Sequence, residues 1–85
     1  MNNKILITID VPLLGKNYDI LIPINKKIGT IKKYCIDTIN DMTDNMITNI
    51  DKLNLYDKDG CIVYSLNSYV KGSGIENGTR FILIW

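Results

Sequence analysis

The pattern of apolar and polar residues in the first quarter of the chain predicts two β-strands joined by a turn. Residues 4–11 alternate between isoleucine and polar side chains, with Leu6 as the exception, and such alternation is typical of a half-buried strand. Residues 18–24 alternate in the same way, with Gly15 in the turn before them. Because Pro23 has no N–H to donate, we expect the second strand to lie at a sheet edge.

The spacing of apolar residues then changes to three and four, which predicts a helix over residues 28–42. Its apolar stripe consists of Ile28, Ile31, Cys35, Ile39 and Met42. We expect this stripe to be buried and the lysines and aspartates of the same segment to be solvated. No good capping side chain precedes the helix, since a lysine stands where Ser, Thr or Asp is preferred.

Three further strands are predicted in the second half of the chain. They cover residues 53–57, 61–64 and 81–85, and the glycine-containing turns 57–60 and 77–78 precede the last two. Two hairpins, one crossover helix and one closing strand indicate an α+β sandwich of two layers. We predict a five-stranded mixed sheet of order 2-1-5-3-4, covered by one helix, with the first and last strands central and parallel.

Length, charge and cysteine usage limit the possible functions. Eighty-five residues form one domain, 1–85, with one modest core. A net charge of +1 argues against a nucleic-acid partner. The apolar runs are far shorter than the roughly 18 residues of a spanning helix, so we expect no direct membrane insertion. Two cysteines are too few for a secreted disulfide framework, which indicates a cytoplasmic protein.

No combination of residues in the sequence indicates catalysis or metal binding. Histidine is absent, Cys35 lies on the apolar stripe, and Cys61 has no identifiable base partner. Residues 57–60 resemble the start of a calcium loop, but Ile62 and Ser68 stand where that loop needs Gly and Glu. We therefore predict no catalytic residue, no cofactor and no metal, and a protein that is not an enzyme.

Aliphatic residues at outward positions of the sheet suggest a protein-binding surface. If the alternate residues of each strand face the helix, then Leu6, Leu21, Ile82 and Ile84 face away from it. Four large aliphatic side chains on three neighbouring strands are expected to form one contiguous patch, and such patches mark interaction sites. The expected partner is another protein, including a second copy of this chain.

Several motifs along the chain resemble those of ubiquitin-like proteins. They are residues 18–23 (YDILIP), the pair Ile28 and Ile31, the pair Leu66 and Tyr69, and residues 75–79 (IENGT). In this order and spacing, over residues 4–85, they resemble the YukD/EsaB family of accessory proteins of type VII secretion systems in Gram-positive bacteria. The Ile-, Asn- and Lys-rich composition with a single Arg also favours an AT-rich, low-GC genome. The resemblance implies a ubiquitin-like β-grasp fold.

The family resemblance also implies a role. It implies a cytosolic, non-conjugated module that docks on membrane-anchored components of the secretion system, peripheral to the membrane. Residues 71–74 look like an insertion relative to ubiquitin. The sequence ends on Ile84 and Trp85 rather than on the Gly-Gly that carriers and modifiers need, and Trp85 is expected to pack at the end of the sheet. The alternatives are a free-standing ubiquitin-like adaptor outside secretion, or a sulfur-carrier or modifier-type protein that has lost its carrier tail.

Overall fold

The computed structural model describes residues 3–84, and its elements follow the predicted order. They are β1 (Lys4–Val11), a 3₁₀ turn (Pro12–Leu14), β2 (Lys16–Pro23), α1 (Ile28–Thr43), a second 3₁₀ turn (Ile50–Lys52), β3 (Asn54–Asp57) and β4 (Arg80–Ile84). The expected packing of Trp85 lies outside the described residues.

The four strands form one mixed sheet of order β2-β1-β4-β3. β1 and β4 lie side by side in parallel, and each is flanked by an antiparallel partner. Pro23 lies on the edge strand β2, where its missing N–H leaves no ladder bond unmade. The crossover helix α1 leads from the edge strand β2 to the opposite edge strand β3, and β4 then returns the chain to the centre of the sheet beside β1. The predicted α+β class and the central, parallel placement of the first and last strands are thus confirmed.

The predicted strand over residues 61–64 does not form as a strand, so the described sheet has four strands rather than five. This segment makes one bridge to β3, between Tyr56 and Val63. The reason lies in Asp57, whose Oδ1 accepts the N–H groups of Cys61 (2.9 Å) and Ile62 (3.0 Å). These bonds hold the start of the segment in a turn, and a second turn follows at residues 65–68.

The buried side of α1 is wider than the predicted stripe and is displaced from it. Ile36 is fully buried although it lies outside that stripe, whereas Met42, assigned to the stripe, is 58% exposed. The segment after the helix explains why Ile36 is buried. Asn40 Oδ1 accepts a hydrogen bond from the Ile47 N–H (2.8 Å), and Asn40 Nδ2 donates one to the Ile47 carbonyl oxygen (3.2 Å). These bonds hold that segment against the Ile36 side. Met42 lies in the last turn of the helix.

Loop backbone supplies the cap that the sequence lacks at the start of α1. Lys27 makes no side-chain cap bond. The N–H groups of Ile28 and Gly29 instead donate to the carbonyl oxygens of Ser68 (2.8 Å) and Leu66 (2.9 Å). A Cβ at Gly29 would lie 3.0 Å from the Leu66 oxygen, so glycine permits this close approach. The two bonds satisfy N–H groups that a helix leaves without intrahelical partners.

The expected insertion at residues 71–74 is a compact turn that follows the buried Val70. The N–H of Lys71 donates to the carbonyl of Ile24 (3.0 Å), and that of Ser73 to the carbonyl of Val70 (3.2 Å). Gly72 and Gly74 both have a positive φ. The turn therefore lengthens the connection to β4 without opening the core.

Candidate interaction surface

The sheet face opposite the helix carries all four residues predicted for the patch. Strand pairing arranges its side chains in rows across β2, β1, β4 and β3, because directly opposed residues share a face. One row contains Leu21 and Leu6, and another contains Asp10, Ile82 and Tyr56. The next row along contains Ile84, opposite Asn54.

Leu6 and Leu21 form an exposed apolar pair at one end of this face. They are direct partners in the β1–β2 ladder, and their exposed fractions are 45% and 48%. The Asn77–Gly78 turn holds this end of β1. The Leu6 N–H donates to Asn77 Oδ1 (2.8 Å), and the Gly78 N–H donates to the Leu6 carbonyl (2.7 Å). These two bonds, one to a side-chain oxygen and one from a backbone N–H, hold Leu6 against the turn.

Ile82 and Ile84 lie toward the other end of the face, about 13 Å and about 20 Å, respectively, along the strand direction from the leucine pair. The separation follows from the register, since Ile82 is opposite Asp10, four residues beyond Leu6. Tyr56 is opposite Ile82, and Val63 extends the same row through its bridge to Tyr56. The sequence reasoning missed Tyr56 and Val63. Their positions in the strand pairing identify them, whereas alternation within a single strand does not.

A polar strip separates the two apolar ends. Thr8 Oγ1 donates to Asp19 Oδ1 at 2.6 Å. Arg80 donates through Nε and Nη2 to the two carboxylate oxygens of Asp10, both at 3.0 Å. This hydrogen bonding and the charge of Asp10 raise the pKa of Arg80 above its usual value. The expectation of one contiguous aliphatic patch is therefore wrong, because the register places charged and hydroxyl side chains between its two halves.

The remaining candidate chemistry lies elsewhere in the molecule. Cys35 is buried on α1, and burial raises the pKa of its thiol to about 12. Cys61 is exposed, and its Sγ lies 3.6 Å from the Asp59 carbonyl oxygen. Within residues 3–84, no three metal-binding side chains come together. No helix in that range has the length and apolar character needed to cross a bilayer.

Solved structures with the same architecture decide the fold. The ubiquitin-like domain of the Mycobacterium tuberculosis type VII secretion protein EccD1 superposes with a TM-score of 0.71, at 11% identity over 96% of this chain and 98% of that one. Caldiarchaeum subterraneum ubiquitin gives 0.69, at 17% identity over 95% and 91%. This chain has the ubiquitin-like β-grasp fold.

A third structure with this β-grasp fold belongs to a large assembly. A chain of the MycP5-free ESX-5 inner membrane complex matches with a TM-score of 0.79, at 10% identity. The match covers 96% of this chain but 21% of that one, so the shared part is one region of a much longer protein. No protein-family model matches the sequence. The sequence has no match among curated proteins either.

Proposed function

We propose that this protein is a non-catalytic ubiquitin-like interaction module of a type VII secretion system, and that it docks through the outer sheet face on a membrane-anchored component. The observation that carries the proposal is the set of exposed aliphatic side chains on that face. The ubiquitin-like domain of a type VII secretion protein and one region of a chain of the ESX-5 inner membrane complex share its fold. The resemblance of residues 18–23 and 75–79 to motifs of the YukD/EsaB family supports the finer assignment.

The dimensions of the outer face suit one protein partner of ordinary size. Specific interfaces bury about 800 Å² on each partner, which is enough to cover both apolar ends and the strip between them. Leu6 and Leu21 then contact the partner at one end, and Ile82 and Ile84 at the other. The exposed ion pair of Asp10 and Arg80 contributes orientation rather than affinity, because such pairs contribute little binding energy.

Affinity capture from the membrane fraction of the native organism tests this proposal. The bait is the intact protein, compared with an Ile84→Asp variant that places a charge at one apolar end. A second variant, Met46→Asp, changes an exposed apolar residue in the loop after α1, outside the four-residue patch, and serves as the control. We expect native and control baits to retain an integral-membrane component of the secretion system and the Ile84→Asp bait to lose it.

The capture experiment also separates the proposal from its alternatives. If all three baits retain the same component equally, the docking site does not lie on the outer face. If the native bait retains none of the secretion components, the protein functions outside secretion. The genomic neighbourhood adds an independent criterion, since a secretion module is expected beside genes for a membrane-anchored ATPase and small helical-hairpin substrates.

A further inference from the structure

The two edges of the sheet differ in how they are protected against pairing with another strand. The β2 edge carries Lys16, Asp19 and Pro23, and charges and proline are the usual means of preventing edge-to-edge association. The opposite edge consists of residues 61–64, which bridge to β3. Residues 60–70 contain no charged side chain. This edge also exposes two β-branched residues, Ile62 (62%) and Val63 (54%).

The backbone of this second edge presents an open set of hydrogen-bonding groups. The backbone groups that point toward β3 are hydrogen-bonded to it. The Ile62 carbonyl accepts from the Asp57 N–H (2.9 Å), and the Tyr64 N–H donates to the Leu55 carbonyl (3.0 Å). Its outward groups are the N–H and C=O of Val63, and neither has a hydrogen-bond partner among residues 3–84. Outward groups of this kind are those that a further antiparallel strand would bind.

We infer that this edge pairs with the same edge of a second copy of the chain, antiparallel, about a two-fold axis at Val63. In that arrangement each Val63 N–H donates to the Val63 carbonyl of the other copy. Cys61 lies opposite Ser65, and Ile62 opposite Tyr64. Each of these pairs is uncharged, so no like charges oppose each other across the axis. The contact uses the same surface on both copies, as closed two-fold dimers do.

The size of this contact indicates a weak, reversible dimer. The paired segment is short, and the chain leaves the edge at the 65–68 turn. It therefore buries less than the roughly 1,200 Å² of a stable interface. We expect dissociation constants of about 10 µM to 1 mM. The inference does not depend on the proposed secretion role, because the dimer forms from the isolated protein.

Sedimentation velocity of the purified protein between about 10 µM and 2 mM tests the dimer. We expect a concentration-dependent shift toward the dimer. Val63→Lys should raise the dissociation constant at least about tenfold, because the added charges face each other across the axis. Leu21→Lys, which adds the same charge to the protected edge, should not change it. A monomer across the whole range, or equal effects of the two variants, would overturn the inference.

Disulfide crosslinking tests the register and does not depend on how Val63→Lys folds. The variant carries Cys61→Ser and Val63→Cys, and the matched control carries Cys61→Ser and Leu21→Cys. In a hydrogen-bonded antiparallel pair the opposed Cα atoms are about 5.5 Å apart, which suits a disulfide. Mild oxidation should convert the first variant to a covalent dimer at least about tenfold faster than the second. Equal rates in both variants would refute pairing at Val63.

Discussion

Replacing Ile36 by alanine tests which side of the helix lies in the core. Ile36 is fully buried and lines the same groove as Ile50. The substitution removes three carbon atoms, or about 2.4 kcal/mol of transfer free energy at 0.8 kcal/mol for each. The cavity left behind adds to this, and buried Ile-to-Ala changes cost about 2–5 kcal/mol in total. We expect the free energy of unfolding to fall by that amount.

Met42→Ala is the matched control, because Met42 lies on the predicted stripe of the same helix but is exposed in the structure. Its replacement should change the free energy of unfolding by less than about 0.5 kcal/mol. Urea denaturation followed by circular dichroism measures both variants, with equal m-values as the condition for comparing midpoints. A loss below about 1 kcal/mol for Ile36→Ala, or a larger loss for Met42→Ala, would refute the packing described above.

Three further predictions concern Asn40 and the two cysteines. Asn40→Ala removes the side chain that binds the N–H and C=O of Ile47 and should lower the free energy of unfolding by about 1–3 kcal/mol. Hydrogen exchange should become faster at the Ile47 amide, and an unchanged exchange rate would contradict the prediction. A thiol reagent at pH 8 should modify Cys61 and not the buried Cys35, with mass spectrometry counting one label on the folded protein and two after denaturation. Burial raises the Cys35 pKa from its ordinary 9.0 to about 12, so above about pH 9 the folded state keeps a proton that the unfolded state releases. The free energy of unfolding should therefore fall as the pH rises above about 9. A rise in this range would refute the burial of the Cys35 thiol.

The strands β1 and β2 and the helix α1 could be predicted from the sequence because they depend on local chemistry. Alternation defines β1 and β2, and the missing N–H of Pro23 places β2 at an edge. The three-and-four spacing defines α1 to within one residue of its observed bounds, Ile28–Thr43. Each of these features is determined by a few neighbouring residues, which a single sequence contains.

The remaining features depend on contacts between residues far apart in the chain. Alternation assigns Leu6 and Ile82 to one face, but only the β1–β4 register shows that they lie at opposite ends of it. Ile36 is buried because Asn40 binds a segment beyond the end of the helix. The side chain of Asp57 keeps residues 61–64 from forming a full strand. Neither periodicity nor propensity carries this information.

The affinity of the purified protein for the isolated membrane component tests the central claim most directly. Calorimetric titration compares the native protein with Ile84→Asp and Met46→Asp, after denaturation has shown that each variant loses less than about 1 kcal/mol of stability. We expect at least about tenfold weaker binding for Ile84→Asp, equivalent to roughly 1–2 kcal/mol, and unchanged binding for Met46→Asp. Native-like affinity of a folded Ile84→Asp protein would contradict docking through the outer sheet face.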